Sequence, residues 1–313
     1  MRPGSGFAPL NFLPPAPAST RRLVSLEALA EAPRPRVVLS LLTAGLEVEL
    51  FAAASYAAAH SLLGSDALEE ASCSFVVFDN GSAGGRWFLN LLEEMGAAVI
   101  RHGSNVGIAG GRNKVAEAAF SGTGGRFDFL LELHTDHIFP RAWLAPLLQV
   151  MADTPRLGAV GPGLVTASGA FGTPRLVVDY RATIPDLLEA TNAACDEARD
   201  KYAAAAPRLR RGMSHPILKR REALEEVGFY DEARYPLQNF EDTDEARRLE
   251  AAGWQVAICL DSWVFHHYAL SRTSLGDHVW AFRENYRAFR GRWPDSAEWL
   301  REWDRAIHGV YRL

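Results

Sequence analysis

Hydrophobic positions in the first half of the chain fall into short apolar runs separated by longer amphipathic stretches. The runs with the length and content of buried strands are residues 37–42, 75–78, 97–100 and 127–133. The stretches with the spacing of helices are an alanine-rich one ending at Ala59, residues 86–95 and residues 109–120. Strands that alternate with helices predict an α/β fold whose mostly parallel, Rossmann-like central sheet is flanked by helices.

The second half of the chain is less regular. Its pattern predicts helices at 219–227 and 242–252 and strands at 255–259 and 262–265. From residue 272 onward, aromatic residues alternate with arginines, which is typical of an amphipathic helix and predicts a C-terminal helical extension.

Proline-rich composition sets the beginning of the chain apart. Residues 1–35 predict an extended arm or linker, because proline blocks helix interiors and sheet ladders. The main domain is then predicted at 36–271, with halves at 36–140 and 141–271, followed by the tail at 272–313.

Composition and charge narrow the class of protein. Hydrophobic residues make up 48% of the chain, enough to bury a full core, and the formal net charge of -5 argues against bulk attraction to nucleic acid. The cysteines, Cys73, Cys195 and Cys259, have neither zinc-type spacing nor the even count of a disulfide framework. Without a run of about 18 apolar residues or a signal-peptide layout, the sequence predicts a cytoplasmic protein.

Three polar side chains follow predicted strands, at the edge where α/β sheets bind ligands. They are Asp79, Asn105 and Asp136, and they make 36–140 the expected nucleotide-binding half. Asp79 can accept the ring N–H of a pyrimidine base, or it can simply form a turn with Gly81.

A glycine-rich segment leads from Asn105 to Asn113 into the next helix. Its glycines let backbone approach a ligand, the helix N-terminus favours anions, and Arg112 can neutralise a diphosphate. The segment matches neither the dinucleotide fingerprint nor the P-loop, so an ordinary loop-to-helix entry explains it equally well.

Three acidic or histidine-containing segments are candidates for chemistry. Asp136 is a hard oxygen ligand suited to Mg²⁺ or Mn²⁺ and His134 favours the softer Mn²⁺, although a strand-end turn also explains them. Glu241 and Asp242 open a helix whose dipole favours acidic residues, and a carboxylate there can also act as a general base. His266 ends an apolar strand.

Taken in their order along the chain, these segments resemble family-2 glycosyltransferases with the GT-A fold, in particular the branch of rhamnosyl- and galactofuranosyltransferases. The segments that carry the resemblance are residues 77–82, 105–113, 133–136, 219–232, 241–254 and 264–271. The resemblance implies that Asp79 holds the nucleotide base, that Asp242 is the catalytic base and that Glu241 orients the acceptor. The other residues that it places around the donor are Thr43, Asn80, Asn105, Gly107, Arg112, Asn113 and Thr135.

The resemblance also implies a divalent metal, Mn²⁺ or Mg²⁺. Asp136 and His266 would bind it, with His267 as the less favoured ligand. His134 stands where the family has Asp as the first residue of its metal motif. It therefore ligates the metal, contacts the donor sugar or diphosphate, or marks a metal-independent or inactive variant.

The predicted function is transfer of a sugar from a UDP- or dTDP-sugar to a hydroxyl of a glycan, a lipid-linked acceptor or a small molecule, with inversion. A sugar nucleotidyltransferase is the first alternative, but it would carry a basic glycine-rich loop after the first strand, where residues 43–47 hold no basic residue. A non-catalytic protein that binds sugar nucleotides or glycans is the second, and His134 suits it.

Two polar segments have open roles. Residues 196–211 are either a lid over the donor or a solvated loop. The aromatic and basic tail is compatible with core packing, which the pattern favours, with a homodimer interface, and with contact to a lipid acceptor at the inner face of the membrane.

Overall fold

A computed structural model describes residues 23–65, 67–169, 173–180, 182–203, 209–267 and 278–311. The strands are β1 (Arg36–Thr43), β2 (Ser72–Asn80), β3 (Ala98–His102), β4 (Phe129–Leu133), β5 (His137–Ile138), β6 (Leu157–Thr166), β7 (Leu209–Arg211), β8 (Ile217–Arg220) and β9 (Gln255–His266). The helices are α1 (Leu26–Ala30), α2 (Glu49–Leu63), α3 (Ala67–Glu70), α4 (Arg86–Glu94), α5 (Gly107–Thr123), α6 (Ala145–Asp153), α7 (Ile184–Ala203), α8 (Arg221–Val227), α9 (Glu241–Ala251), α10 (His278–Arg292) and α11 (Ser296–Tyr311).

The strands form one mixed, mostly parallel sheet in the order β3-β2-β1-β4-β8-β6-β9-β5, with β7 paired to β9. The first four strands are parallel to one another, and β6 is parallel to β9. Between these two parallel groups, β8 runs antiparallel to both β4 and β6. The predicted α/β class with a mostly parallel central sheet is confirmed.

Both faces of the sheet are covered, because successive strand residues point to opposite sides. In β1, Val37 and Leu39 pack under α2, α4, α6 and α7, whereas Val38 packs under α1 and α5. A third apolar cluster joins the β6–β9 region to α8, α9, α10 and α11, with Phe289 and Trp299 buried in it. The C-terminal helices therefore pack onto the domain, and the predicted helical extension is confirmed.

Three expectations about secondary structure are wrong in the described residues. Residues 26–30 of the predicted extended arm form α1, whose Leu29 is buried, and Ser25 accepts a hydrogen bond from its first turn. Residues 219–220, predicted as helix, belong to β8 because they pair with β4. Within 196–211, residues up to 203 continue α7 and residues 209–211 form β7, so these parts form neither a lid nor a loop.

Other expectations lie outside the described residues. The first 22 residues of the arm, residues 204–208 of the basic segment and Ser271 of the closing motif belong to this group. No helix in the described part of the chain combines the length and the apolar character needed to cross a membrane.

Candidate functional site

A cleft of about 670 Å³ opens where the ends of β1, β2, β4 and β9 meet the start of α9. The predicted site residues that line it are Thr43, Asn80, Asn105, Arg112, His134, Thr135, Asp136, Glu241, Asp242 and His266. The lining residues that sequence reasoning missed include Glu132, His215, Tyr230, Asn239 and Phe282. The chain thus brings most of the predicted residues into one place.

Asp79 lies behind one end of the cleft rather than in its lining. Its strand pairs in register with β1, so that Asp79 lies opposite Thr43. The Asp79 carboxylate accepts hydrogen bonds from the hydroxyls of Thr43 at 3.1 Å and Ser82 at 2.6 Å. At this end of the cleft, Thr43 and the neighbour of Asp79 along the chain, Asn80, belong to the lining.

The loop before α5 is held by amide side chains. Asn80 donates to the Oδ1 of Asn105 and to the carbonyl of Gly107, both at 3.0 Å. Gly107 has φ +80°, and a Cβ there would lie 2.7 Å from the backbone nitrogen of Leu237. Gly107 was expected to let a ligand approach, but it accommodates another segment of the chain instead.

Arg112 and Asn113 follow on α5 and differ in position. Arg112 is buried at the floor of the cleft, where its guanidinium donates to the carbonyls of Ser40 at 3.0 Å and Leu133 at 2.5 Å. Asn113 lies outside the lining, and its amide exchanges hydrogen bonds with the backbone of Tyr230 at 2.9 and 3.0 Å. The expected donor contact of Asn113 is therefore replaced by a structural one.

Four histidines and one carboxylate converge at the centre of the cleft. The ring of His134 stacks on those of His215, at 4.5 Å between centroids, and His137, at 5.1 Å. The rings of His137 and His266 lie 4.4 Å apart, and the Oδ1 of Asp136 lies 3.2 Å from the Nε2 of His266. Neither His137 nor His215 was assigned to the metal site from the sequence, and no motif in the sequence marks His215.

Burial keeps most of this cluster uncharged. It holds the pKa of His134, His137 and His215 well below the usual value, and the neighbouring cationic groups lower it further. Asp136 behaves differently: burial raises its pKa, but the charge and hydrogen bond of His266, with the charges of His137 and His134, together lower it below its usual value. The cleft therefore holds a carboxylate beside neutral imidazole rings, which are the forms that bind cations.

Asp242 and Glu241 begin α9 on the other side of the cleft. Asp242 accepts hydrogen bonds from the backbone N–H of Thr243 at 2.6 Å and from its hydroxyl at 3.1 Å. Burial raises the pKa of Asp242, and these hydrogen bonds oppose the rise. A carboxylate with a raised pKa is a stronger base once it is ionised, which suits proton abstraction.

The segment before α9 is strained and clamped from behind. Leu237, Asn239 and Phe240 all have positive φ, an uncommon conformation for residues other than glycine. The side chain of Asn285 on α10 donates to three carbonyls of this segment, those of Pro236, Gln238 and Asn239, at 2.9 to 3.1 Å. Helix α10 thereby fixes the rim that leads into Asp242.

A buried ionic network lies beneath the cleft. The ammonium group of Lys219 lies 2.9 Å from Glu132 and 2.5 Å from Glu245, and it donates to the hydroxyl of Tyr230 at 2.7 Å. Tyr230 in turn donates to Glu132 at 2.8 Å. The signal in the sequence was Glu132 itself, a charged residue within the apolar run of β4.

Glu241 should make folding stability depend on pH. It is 5% exposed, its Oε2 has no hydrogen-bond partner among the described residues, and burial, with the charge of Asp242, raises its pKa well above 4.5. The folded state then binds more protons than the unfolded state above pH 4.5, so stability falls as the pH rises through the folded pKa. Glu241→Gln removes this titration.

Melting temperatures measured across that pH range by circular dichroism should therefore fall less steeply for Glu241→Gln than for the unaltered protein. Glu94→Gln, on the exposed end of α4, serves as the control and should follow the unaltered protein. Parallel curves for all three proteins would mean that Glu241 does not titrate differently in the folded state.

Comparisons with known proteins agree with the fold. Residues 60–205 match the family described as Glycosyl transferase family 2. A crystal structure of GalNAc-T7 with UDP, GalNAc and Mn²⁺ aligns with a TM-score of 0.51 at 15% identity, over 74% of this chain and 44% of that chain. A crystal structure of S. aureus TarS 1-349 aligns with a TM-score of 0.48 at 13% identity, over 74% and 60%. No curated protein matches the sequence.

The chain therefore spans less than two thirds of either structural neighbour. At 15% identity, the similarity to the GalNAc-T7 structure establishes a shared fold, which is of the GT-A type. The family match lies within this fold and covers somewhat less than half of the chain.

Proposed function

We propose that this protein is an inverting glycosyltransferase that moves a sugar from a UDP- or dTDP-sugar to an acceptor hydroxyl. The observation that carries the proposal is the placement of Asp242 in the same cleft as Asp136 and His266. These residues come from distant parts of the chain, yet they face one cavity large enough for a nucleotide sugar.

Asp242 is the proposed general base. It takes the proton from the acceptor hydroxyl while the acceptor oxygen attacks the anomeric carbon from the face opposite the leaving diphosphate, which inverts the configuration. The Thr243 hydrogen bonds fix the carboxylate for this step. Glu241, beside it and without a partner for its Oε2 among the described residues, is the proposed contact for the acceptor.

A divalent cation is the proposed cofactor, held by the cluster of Asp136, His266 and His134. The residues fit a cation, because a buried carboxylate and imidazole nitrogens converge in one place. When bound, the cation would supply positive charge for the departing diphosphate. The buried guanidinium of Arg112 adds a fixed positive charge at the cleft floor.

The nucleotide end of the cleft is proposed at Thr43, Asn80 and Asn105, with Thr135 nearer the cation cluster. Asp79 supports this end from behind, since its carboxylate holds the Thr43 hydroxyl. In this arrangement Asp79 contributes to base recognition either through Thr43 or after its two hydroxyl partners turn away.

The acceptor side is proposed at α10, whose Phe282 lines the cleft and is 46% exposed. Beside it the helix exposes Trp280 and a stripe of arginines, Arg283, Arg287 and Arg290. Aromatic and cationic side chains together suit a lipid-linked phosphate acceptor and peripheral contact with an anionic membrane.

The test is a panel of nucleotide sugars incubated with the protein, with glycans, lipid phosphates and small molecules as acceptors. Release of nucleoside diphosphate is measured with and without a divalent cation. We expect release to depend on one donor and to rise with its acceptor. Pyrophosphate release from a nucleoside triphosphate would instead identify a sugar nucleotidyltransferase, and donor binding without release would identify a binding protein.

A further inference from the structure

The entry segment of α9, residues 236–240, has an unusual backbone conformation where it lines the cleft. Leu237, Asn239 and Phe240 have φ of +67°, +77° and +69°. Such conformations are uncommon for residues other than glycine, and they persist only where surrounding contacts hold them in place. The contacts around the entry segment therefore decide where α9 begins.

Helix α9 does not fix its own first turn through a side-chain cap. Its N-cap residue is Phe240, which makes no capping hydrogen bond with its side chain. The N–H of Asp244 donates to the carbonyl of Phe240 at 2.9 Å, which joins the helix to the entry segment. A helix start of this kind depends on neighbouring elements for its position.

Asn285 of α10 contacts the entry segment from behind. It is 1% exposed, and its Nδ2 donates to the carbonyls of Pro236, Gln238 and Asn239 at 3.1, 2.9 and 3.0 Å. The amide group supplies two hydrogens to these acceptors, whereas aspartate and leucine, which are of similar size, supply none. The chemistry of this side chain therefore matters in addition to its volume.

Packing adds to these hydrogen bonds. The ring of Phe240 lies 5.2 Å from that of Phe282 and 5.6 Å from that of Phe289, both on α10. On the other side of the segment, the carbonyl of Leu237 accepts the N–H of Ile108 at the start of α5, at 2.5 Å. Helix α10 therefore holds both the backbone and an aromatic side chain of the entry segment.

The position of the entry segment bears on the proposed base, because Asp242 follows it by two residues. A misplacement of about 1 Å can cost about 10²-fold in rate. The nucleotide end of the cleft, at Thr43, Asn80 and Asn105, belongs to other elements. Displacement of the entry segment should therefore slow the chemical step and leave donor binding nearly intact.

We propose that Asn285 is a positioning residue, which holds the entry segment of α9 so that the carboxylate of Asp242 is fixed in the cleft. Its role in sugar transfer rests on the proposed function, but its hold on the segment does not. Helix α10, which carries Asn285, lies outside the residues that match the family, 60–205.

Hydrogen exchange of the full chain, followed by mass spectrometry without any nucleotide sugar, tests the hold on the segment. Asn285→Asp and Asn285→Leu both remove the donated hydrogens. The N–H groups of Gln238, Asp244 and Ile108 are bonded within or to the entry segment, and in both variants they should exchange on the order of tenfold faster.

Turnover and donor affinity test the role in the reaction. In both Asn285 variants, turnover should fall by about 10- to 100-fold, while the dissociation constant of the donor stays within about threefold of that of the unaltered protein. Trp303→Leu on α11 is the control for lost stability, because Trp303 is 6% exposed, stacks on Trp299 at 4.8 Å and lies outside the cleft lining. Its folded molecules should keep the unaltered turnover and the unaltered exchange in the entry segment.

Unchanged exchange in both Asn285 variants would overturn the proposal. Faster exchange with unaltered turnover would also overturn it, as would the same loss of turnover in Trp303→Leu. Circular dichroism establishes that each variant is folded at the temperature of the assay. If the unaltered protein transferred no sugar from any donor, the proposed function would fail, and the exchange rates would still decide whether Asn285 holds the entry segment.

Discussion

Asp242→Asn should lower the rate of sugar transfer by about 10²–10⁴-fold, because Asn cannot accept the proton of the acceptor hydroxyl. The substitution keeps the size of the side chain and one oxygen that can accept the Thr243 hydrogen bonds. Binding of the nucleotide sugar should therefore change little. Turnover and donor affinity are measured separately, by nucleoside diphosphate release and by calorimetry.

The pH profile of the unaltered enzyme belongs to the same prediction. Burial raises the pKa of Asp242, so the ionised base is lost at a higher pH than for an ordinary aspartate. The turnover rate should fall as the pH decreases through that raised pKa. The Asp242→Asn variant should lack this acidic limb.

Asp244→Asn is the matched control, since Asp244 lies in the same first turn of α9 but points away from the cleft. Its carboxylate pairs with Arg248 at 2.9 Å and accepts hydrogen bonds from Tyr235 at 3.0 Å and Trp293 at 2.9 Å. The Asp244→Asn variant should have a lower free energy of unfolding. The molecules that remain folded should turn over at the rate of the unaltered enzyme. Similar turnover for Asp242→Asn and the unaltered enzyme would remove Asp242 from the role of base.

Lys219→Met should lower the free energy of unfolding by about 3–5 kcal/mol, because it leaves buried carboxylates without their counter-charge. The Lys219 side chain is 1% exposed and lies between Glu132 and Glu245. Methionine fills the same space, so lost packing contributes little to the effect. Urea denaturation followed by circular dichroism measures it.

Lys114→Met is the control, because Lys114 also pairs with a glutamate at 2.9 Å but on the exposed face of α5. Solvent screens that pair, and its loss should leave the free energy of unfolding nearly unchanged. Adding Glu132→Gln to Lys219→Met should recover part of the stability, because it removes one of the two uncompensated charges. If Lys219→Met and Lys114→Met had the same free energy of unfolding, the buried network would carry no net charge–charge stabilisation.

The local pattern of the sequence was enough to predict the α/β class, because buried strands and amphipathic helices each show their own spacing of apolar residues within a short stretch of chain. Asp136 and His266 were also found as candidates, since each comes at or just after the end of an apolar strand. The β8 strand was missed at 219–220 because its pairing with β4 outweighs the helical pattern that continues into α8.

Glycine and amide residues show where local pattern fails. Gly107 was expected to let a ligand approach. The space that a Cβ would fill there is instead taken by the backbone nitrogen of Leu237, which is far along the chain. Asn113 likewise satisfies the backbone of Tyr230. The partner in each case comes from a segment whose position depends on the complete fold.

The sequence by itself therefore determined the fold class, the ends of the strands that carry polar side chains, and the acidic start of α9. Only the tertiary structure decided which of those side chains share a cavity. It added His137 and His215 to the cation cluster, and it surrounded Lys219 with acidic partners. The reason is physical: periodicity reports which side of a strand or helix is buried, whereas a site is made by contacts between segments that sheet register and helix packing bring together.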